Sequence, residues 1–135
     1  MNFENKLVII VNKTLEPGVA MNAVAHASLA LGALMGKEKL CLGDYKDASG
    51  NLWPMSNMPY IILKGKSGEI RKAVLAAKTE KVQHLAFVST MTGGTWAEQI
   101  ERTAPITEED HTYYAAVLCG PYETVAQITK KFSLY

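Results

Sequence analysis

Residues 6–12 read Lys-Leu-Val-Ile-Ile-Val-Asn and contain an unbroken apolar run of mainly β-branched residues. Apolar residues at successive positions, without alternation, are typical of a strand that is covered on both faces. The run therefore predicts a central strand in a sheet with helices on both sides. Glu16-Pro17-Gly18 follows and opens a predicted helix over residues 17–35, because proline favours the first helical position.

The remaining elements follow from apolar runs and helix-start signals. Further strands are predicted at residues 60–63, 83–88 and 114–119. Further helices are predicted from a Ser67 cap to about Lys81, from the Thr95–Glu98 capping box to about Arg102, and from Pro121 onward. Residues 40–59 mix turn formers with large apolar side chains, which indicates an ordered excursion with a short hairpin.

Together these elements predict one α/β domain over residues 1–135. We expect three layers, with about four mostly parallel or mixed strands and helices on both faces. In such open sheets, ligands bind outside the carboxyl ends of the strands. The corresponding segments here are residues 12–18, the residues after Leu63, residues 89–95 and residues 119–121.

Composition limits the classes of protein that this chain could be. Its 135 residues are 48% hydrophobic, and the net charge of +1 provides no overall attraction to nucleic acid. Polar residues interrupt the apolar stretch 19–35, and the first residues lack a signal-peptide pattern, so we expect a cytoplasmic protein without a membrane span. Cys41 and Cys119 lack CxxC spacing, and we expect neither a metal site nor a cofactor.

Candidate ligand-binding residues come from the predicted carboxyl edge and from the first helix. They are Asn12, Asn22, His26, Ser89, Thr90, Thr92, Gly93 and Thr95. Asn22 and His26 share a helix face with Val19, although a histidine satisfied inside the packing explains the same pattern. The sequence Thr92-Gly93-Gly94-Thr95 precedes a helix N-terminus, where backbone N–H groups favour an anion, although an ordinary glycine turn is the competing interpretation.

Catalytic candidates are few. Cys119 stands just before the last predicted helix and could act as a nucleophile if a histidine, His26, His84 or His111, lay close to it. A buried, inert strand cysteine is the alternative. His26 and Thr92 complete the set of weak catalytic candidates. The alanines of the first helix allow close packing, either on its own sheet or in a homodimer.

Two segments resemble the class II peptidyl-tRNA hydrolases. The strand Lys6–Val11, the Pro17-Gly18 turn and the His26-Ala27 pair resemble that family's opening, and residues 116–121 with the following helix are similar to its close. The likeness covers most of the chain and implies that family's fold. The family carries a catalytic lysine after the Pro-Gly turn, where this chain has Val19, which can neither donate a proton nor pair with phosphate.

Two acidic positions of the family also differ, since they fall on Asn12 and near Ser89 or Thr90. The resemblance therefore implies a homodimeric branch of the fold that lacks the family's catalytic lysine and acid. We expect it to bind a small anionic ligand or nucleotide at an edge formed by Asn12, Thr92 and Cys119.

Two alternatives remain open. One is a hydrolase of peptidyl- or aminoacyl-tRNA esters with a rearranged catalytic set, in which His26 is the base and Thr92 and the amides around Gly93 are oxyanion donors. The other is a noncatalytic regulatory or scaffold module.

Overall fold

Strands and helices follow one another in an order close to the predicted one. The structure is a computed structural model that describes residues 3–135. The strands are β1 (Asn5–Asn12), β2 (Leu42–Lys46), β3 (Leu52–Ser56), β4 (Tyr60–Gly65), β5 (Gln83–Val88), β6 (Tyr113–Pro121) and β7 (Ser133–Leu134). The α-helices are α1 (Pro17–Lys39), α2 (Ser67–Thr79), α3 (Trp96–Thr103) and α4 (Tyr122–Thr129), and a 3-10 turn covers Ser89–Met91.

β1 is the central strand of a mixed five-stranded sheet, as its sequence predicts. The strand order is β5-β6-β1-β4-β7. β1 pairs parallel with β4, whereas the β1–β6, β5–β6 and β4–β7 pairs are antiparallel. The sheet is therefore mixed but mainly antiparallel, and it has five strands where about four were predicted. Apolar runs do not encode strand direction, and β7 is too short to leave a pattern.

Helices cover both faces of this sheet, which confirms the three-layer expectation. On one face, α1 packs its buried residues Ala20, Ala23, Ala27 and Leu31 against alternate residues of β1 and β6. On the other face, Ile70 of α2 and Val125 of α4 pack with Val8 and Ile10. Because neighbouring strand residues point to opposite faces, β1 contributes to both cores.

α1 is more apolar than a helix packed along one side requires. Within residues 3–135, α1 is the one helix that is long and apolar enough to cross a membrane, judged by length and composition alone. Of the 18-residue apolar window that meets this criterion, 22% is buried. Its alanine stripe packs on the sheet as that of a core helix does. Gly36, with φ +79°, interrupts the helical geometry where the sequence predicted its end, and a short helical segment continues to Lys39.

The predicted hairpin is present as β2 and β3, which form a separate two-stranded sheet. Its strands are exposed over nearly their whole length. At the tip, the Asp47 carboxylate accepts hydrogen bonds from the backbone N–H groups of Ser49 and Asn51 and from the Asn51 and Trp53 side chains, at 2.9–3.1 Å. One carboxylate thus organises the whole turn.

Two predicted helix starts are wrong by one residue, and one is confirmed. Ser67 is the first residue of α2 rather than its cap, and its hydroxyl accepts a hydrogen bond from the Tyr113 N–H at 2.9 Å. Pro121 ends β6 and precedes α4. The Thr95–Glu98 capping box is confirmed, with the Glu98 N–H donating to Thr95 Oγ1 at 3.2 Å.

Candidate functional site

A groove of about 850 Å³ opens between α1 and α3, on the α1 face of the sheet. Its floor is β5, the edge strand, with Leu85 and Phe87, and Tyr114 of β6. Such a volume lies within the range of small-molecule sites. The side chains that line its walls are Val19, Asn22, His26, Ala27 and Ala30 from α1, with Met91, Thr92, Trp96, Gln99, Ile100 and Thr103 opposite.

The lining is mainly apolar and uncharged. Among the residues described, no Lys, Arg, Asp or Glu lines the groove. Trp96 and Ile100 are 77% and 54% exposed, so two large apolar side chains of α3 lie open to water. An exposed concave apolar surface with a few polar groups at its rim is typical of a ligand-binding site.

His26 and Asn22 form the polar part of the α1 wall, as their shared helix face predicts. Both are exposed, so the interpretation of His26 as a histidine buried inside the packing is wrong. The His26 ring stacks on Phe87, with centroids 5.8 Å apart and planes at 23°. Within residues 3–135 neither side chain makes a hydrogen bond in the structure, which leaves their polar atoms available to a ligand.

Arg102 positions the loop that closes one end of the groove, a role that no motif in the sequence predicts. Its guanidinium donates to the Thr90 carbonyl at 2.9 Å and also to the carbonyls of Thr92 and Gly93. The Gln99 amide donates to Gly93 O at 3.1 Å as well. The sequence shows only that Arg102 is a basic residue in the last turn of α3, and that the glycine turn Gly93-Gly94 precedes this helix.

The predicted anion site at the start of α3 is already occupied by a carboxylate of the chain. Glu98 Oε1 accepts hydrogen bonds from Thr95 Oγ1 at 2.9 Å and from the Thr95 N–H at 3.2 Å, and these bonds lower the pKa of Glu98. Gly93 and Gly94 both have φ near +70°, and a Cβ on Gly94 would lie 3.3 Å from Glu98. The glycines thus provide the positive φ angles of the turn, and the Glu98 carboxylate occupies the start of the helix.

The hydroxyls predicted around this loop hold its structure. Thr92 Oγ1 donates to the Ser89 carbonyl at 2.7 Å, and the hydroxyls of Thr90 and Thr103 are hydrogen-bonded to each other at 2.7 Å. Of the five loop residues proposed as ligand contacts, Thr92 and Gly93 line the groove. Ser89, Thr90 and Thr95 are not part of the groove lining, and their hydrogen bonds stabilise the loop.

Asn12 is buried and fully used by the fold, so its prediction as a ligand residue is corrected. Its Nδ2 donates to the Tyr113 carbonyl at 2.9 Å, and its Oδ1 accepts from Thr14 N–H at 3.0 Å and Thr14 Oγ1 at 2.7 Å. With 3% of its surface exposed, it ties the end of β1 to the start of β6.

Cys119 lies away from the groove, and the predicted edge that joined it to Asn12 and Thr92 does not form. Because β6 runs antiparallel to β1, Cys119 pairs with Leu7 near the opposite end of the sheet. It is 2% exposed, and burial raises the pKa of its thiol, with a smaller contribution from Cys41. A buried protonated thiol is a poor nucleophile, so the inert alternative describes it.

The two other histidines do not complete a site. His84 Nδ1 lies 2.8 Å from the Val82 carbonyl, and His111 lies edge-on to the Tyr113 ring, which begins β6 at the other end from Cys119. Within the part of the chain described here, no group of three or more His, Cys, Asp or Glu side chains is placed to hold a metal ion.

Comparisons with known proteins place the chain among proteins of unknown function. The family model described as "Protein of unknown function (DUF2000)" matches residues 5–135. A solved structure of a protein of unknown function from Agrobacterium tumefaciens strain C58 is similar over 99% of each chain, with a TM-score of 0.87 and 20% identity. No curated protein matches the sequence. These matches support the α/β fold and provide no link to peptidyl-tRNA hydrolases.

Proposed function

This chain belongs to the DUF2000 family, described as proteins of unknown function, and we propose that it binds a small, largely apolar ligand in the groove between α1 and α3. The observation that supports this proposal is the exposed apolar lining, together with Asn22 and His26 on one wall, which make no hydrogen bond to the described residues 3–135. A ligand that covered Trp96 and Ile100 would remove apolar surface from water, at about 25 cal/mol per Å².

The composition of the groove selects the ligand's chemistry. Phe87 and Trp96 favour a flat or branched apolar body, and Asn22 and His26 favour one neutral hydrogen-bonding group at its end. The anionic ligand or nucleotide expected from the sequence would meet only the His26 imidazole among ionisable nitrogen groups of the described lining. A neutral ligand therefore fits the site better than a phosphate or carboxylate.

Fluorescence titration with a neutral and an anionic naphthalene probe tests this proposal. We expect N-phenyl-1-naphthylamine to bind more tightly than 8-anilinonaphthalene-1-sulfonate. Ile100→Asp would place a charge in the groove and weaken the neutral probe at least tenfold, about 1.4 kcal/mol. Leu75→Asp, a matched change at a 36% exposed leucine of α2 on the opposite face, should leave its affinity unchanged.

Equal affinity of the neutral probe for the native protein and Ile100→Asp would refute this site. Tighter binding of the sulfonate, lost in His26→Ala, would instead support the anionic ligand. Circular dichroism of each variant confirms that the fold is retained.

A second candidate function is hydrolysis of peptidyl- or aminoacyl-tRNA esters, the activity of the family that the sequence resembles. The observation in its favour is His26, which is exposed in the groove with no hydrogen-bond partner in residues 3–135 and could act as a base. Thr92 is a weaker participant than expected, because its hydroxyl already donates to Ser89. Turnover of an N-blocked aminoacyl-tRNA that disappears in His26→Ala would establish this activity.

The Val19→Lys variant completes that experiment. Val19 lies on the same wall as His26, so a lysine there would enter the groove. Activity gained only in Val19→Lys would show that the lost lysine is what separates this chain from the hydrolases.

A further inference from the structure

The part of α1 before Gly36 presents an uncharged surface to water. Residues 17–36 contain no Lys, Arg, Asp or Glu. Met21, Ala25 and Leu29 recur one turn apart and are exposed, Met21 at 69% and Leu29 at 74%. A helix that covers one face of a sheet in a monomer normally carries charged residues on its outer side. The absence of charge on this outer side indicates that something else covers it.

Exposed apolar residues also lie beside α1 on β4, the strand next to the short edge strand β7. Ser28 Oγ and Tyr60 Oη are 2.5 Å apart, which places β4 beside the helix. Tyr60 and Ile62 pair with Leu7 and Ile9 and so lie on the α1 face, where they remain 38% and 43% exposed. The Tyr135 N–H donates to the Ile62 carbonyl at 3.0 Å.

The Ser28–Tyr60 contact brings the exposed side of α1 next to β4, and we treat the exposed residues of both as one surface. We call it the α1 patch, and it consists of Met21, Ala25, Leu29, Tyr60, Ile62 and Tyr135.

We propose that the α1 patch joins two copies of this chain into a symmetric dimer. If a second copy covered all of its exposed surface, the patch would bury roughly 700 Å², above the roughly 600 Å² per partner at the lower end of stable interfaces. In a two-fold interface each patch meets itself, and an uncharged surface does so without repulsion. Ala25, between the two larger side chains, allows the two helices to approach closely.

A lipid surface is the other occupant to consider for an apolar helix face. Helices that lie on membranes carry Lys and Arg along the sides of their apolar face. Residues 17–36 carry none, and the two lysines of α1, Lys37 and Lys39, follow Gly36, beyond the patch. The patch also includes Tyr60 of β4 and Tyr135, so it extends beyond a single helix face. Both observations favour a second copy.

The α1 patch and the lining of the ligand groove share no residue, so each proposal is tested by its own variants. Asn22 and His26 lie on the β5 side of α1, whereas Ser28 lies on the β4 side. Met21 is seven residues, or two turns, from Ser28 and therefore shares its side. Leu29 is seven residues from Asn22 and lies on the outer side of the helix, next to the groove wall but not part of the groove lining. Loss of the dimer would not close the groove, and failure of probe binding would not affect the dimer.

Sedimentation velocity of the full chain tests the proposal. We expect the native protein to sediment at twice the 14.8 kDa mass of one chain. Leu29→Glu places a carboxylate from each copy in the interface and should give the single-chain mass, as should Met21→Glu. Leu75→Glu on α2 is the matched control and should remain dimeric.

A native protein of single-chain mass overturns the proposal, and so does a dimer that persists in both Leu29→Glu and Met21→Glu. Co-sedimentation with vesicles of phosphatidylcholine and phosphatidylglycerol distinguishes the lipid source. Vesicle binding by a monomeric native protein, lost in Leu29→Glu, would identify lipid as the occupant. The substituted positions are exposed, so circular dichroism should show an intact fold in every variant.

Discussion

At the scale of single residues, the same polar side chain can serve a ligand or the fold, and burial decides between them. Asn12 and Asn22 both follow from the sequence as ligand residues. Asn12 is enclosed, and its hydrogen-bonding groups are taken by Thr14 and Tyr113. Asn22 faces the groove. Sequence position could place both near one sheet edge, but only tertiary packing separates their roles.

The Asn12→Ala variant tests the structural role. It leaves the buried Tyr113 carbonyl without its partner, so we expect the free energy of unfolding to fall by about 1–3 kcal/mol. Binding of the naphthalene probe should be unchanged. Urea unfolding measures the first effect, and Asn57→Ala, at an exposed asparagine, is the control. If Asn12→Ala had the same free energy of unfolding as the native protein, or lost only probe binding, Asn12 would be a ligand residue after all.

At the scale of elements, the β2–β3 hairpin stands apart from the main sheet and needs its own stabilisation. A two-stranded hairpin alone is marginal in water. Here the Asp47 carboxylate holds the tip through hydrogen bonds from Trp53, Asn51 and Ser49. The hydrogen bond from Trp53 contributes most to lowering the pKa of Asp47, followed by those from Asn51.

Acid should therefore loosen the hairpin tip. Because the pKa of Asp47 is lower in the folded chain than its ordinary value of 3.8, its contribution is present above that value and is lost as pH falls through the lower folded pKa. We expect the Trp53 indole N–H resonance to shift and exchange faster over that acidic range. Asp47→Asn should remove the titration and Asp44→Asn should keep it. A Trp53 resonance that stays constant in acid would contradict this role.

At the scale of the whole molecule, β1 belongs to two cores on opposite faces of the sheet. Ile9 packs on the α1 side and Ile10 on the side of α2 and α4, and both are 0% exposed. Ile9→Ala and Ile10→Ala should each lower the free energy of unfolding by about 2–5 kcal/mol. Since the cores share one strand, circular dichroism and the side-chain methyl NMR resonances of the two cores should report one coincident transition.

Ile100→Ala, at an exposed position of α3, is the control for those two changes and should shift stability by less than about 0.5 kcal/mol. Two separate transitions in either core variant would show that the faces unfold independently, against the single domain predicted for residues 1–135.

Sequence patterns within a few residues correctly predicted the features of this fold that depend on neighbouring residues. The Leu7–Val11 run, the Thr95–Glu98 box and the shared face of Asn22 and His26 all correspond to what the structure shows. Strand direction was not accessible, because pairing depends on partners far along the chain, and this misplaced Cys119. Arg102 was missed for a similar reason, since its hydrogen bonds to the glycine turn depend on how α3 folds back.

The central position of β1 has a consequence for folding during synthesis on the ribosome. Asn12 and its partner Tyr113 are 101 residues apart, and β6 must be complete before β1 has its antiparallel neighbour. At about 5–20 residues per second, synthesis of that interval takes roughly 5–20 s. For this time the side of Leu7–Val11 that pairs with β6 in the folded chain has no partner strand.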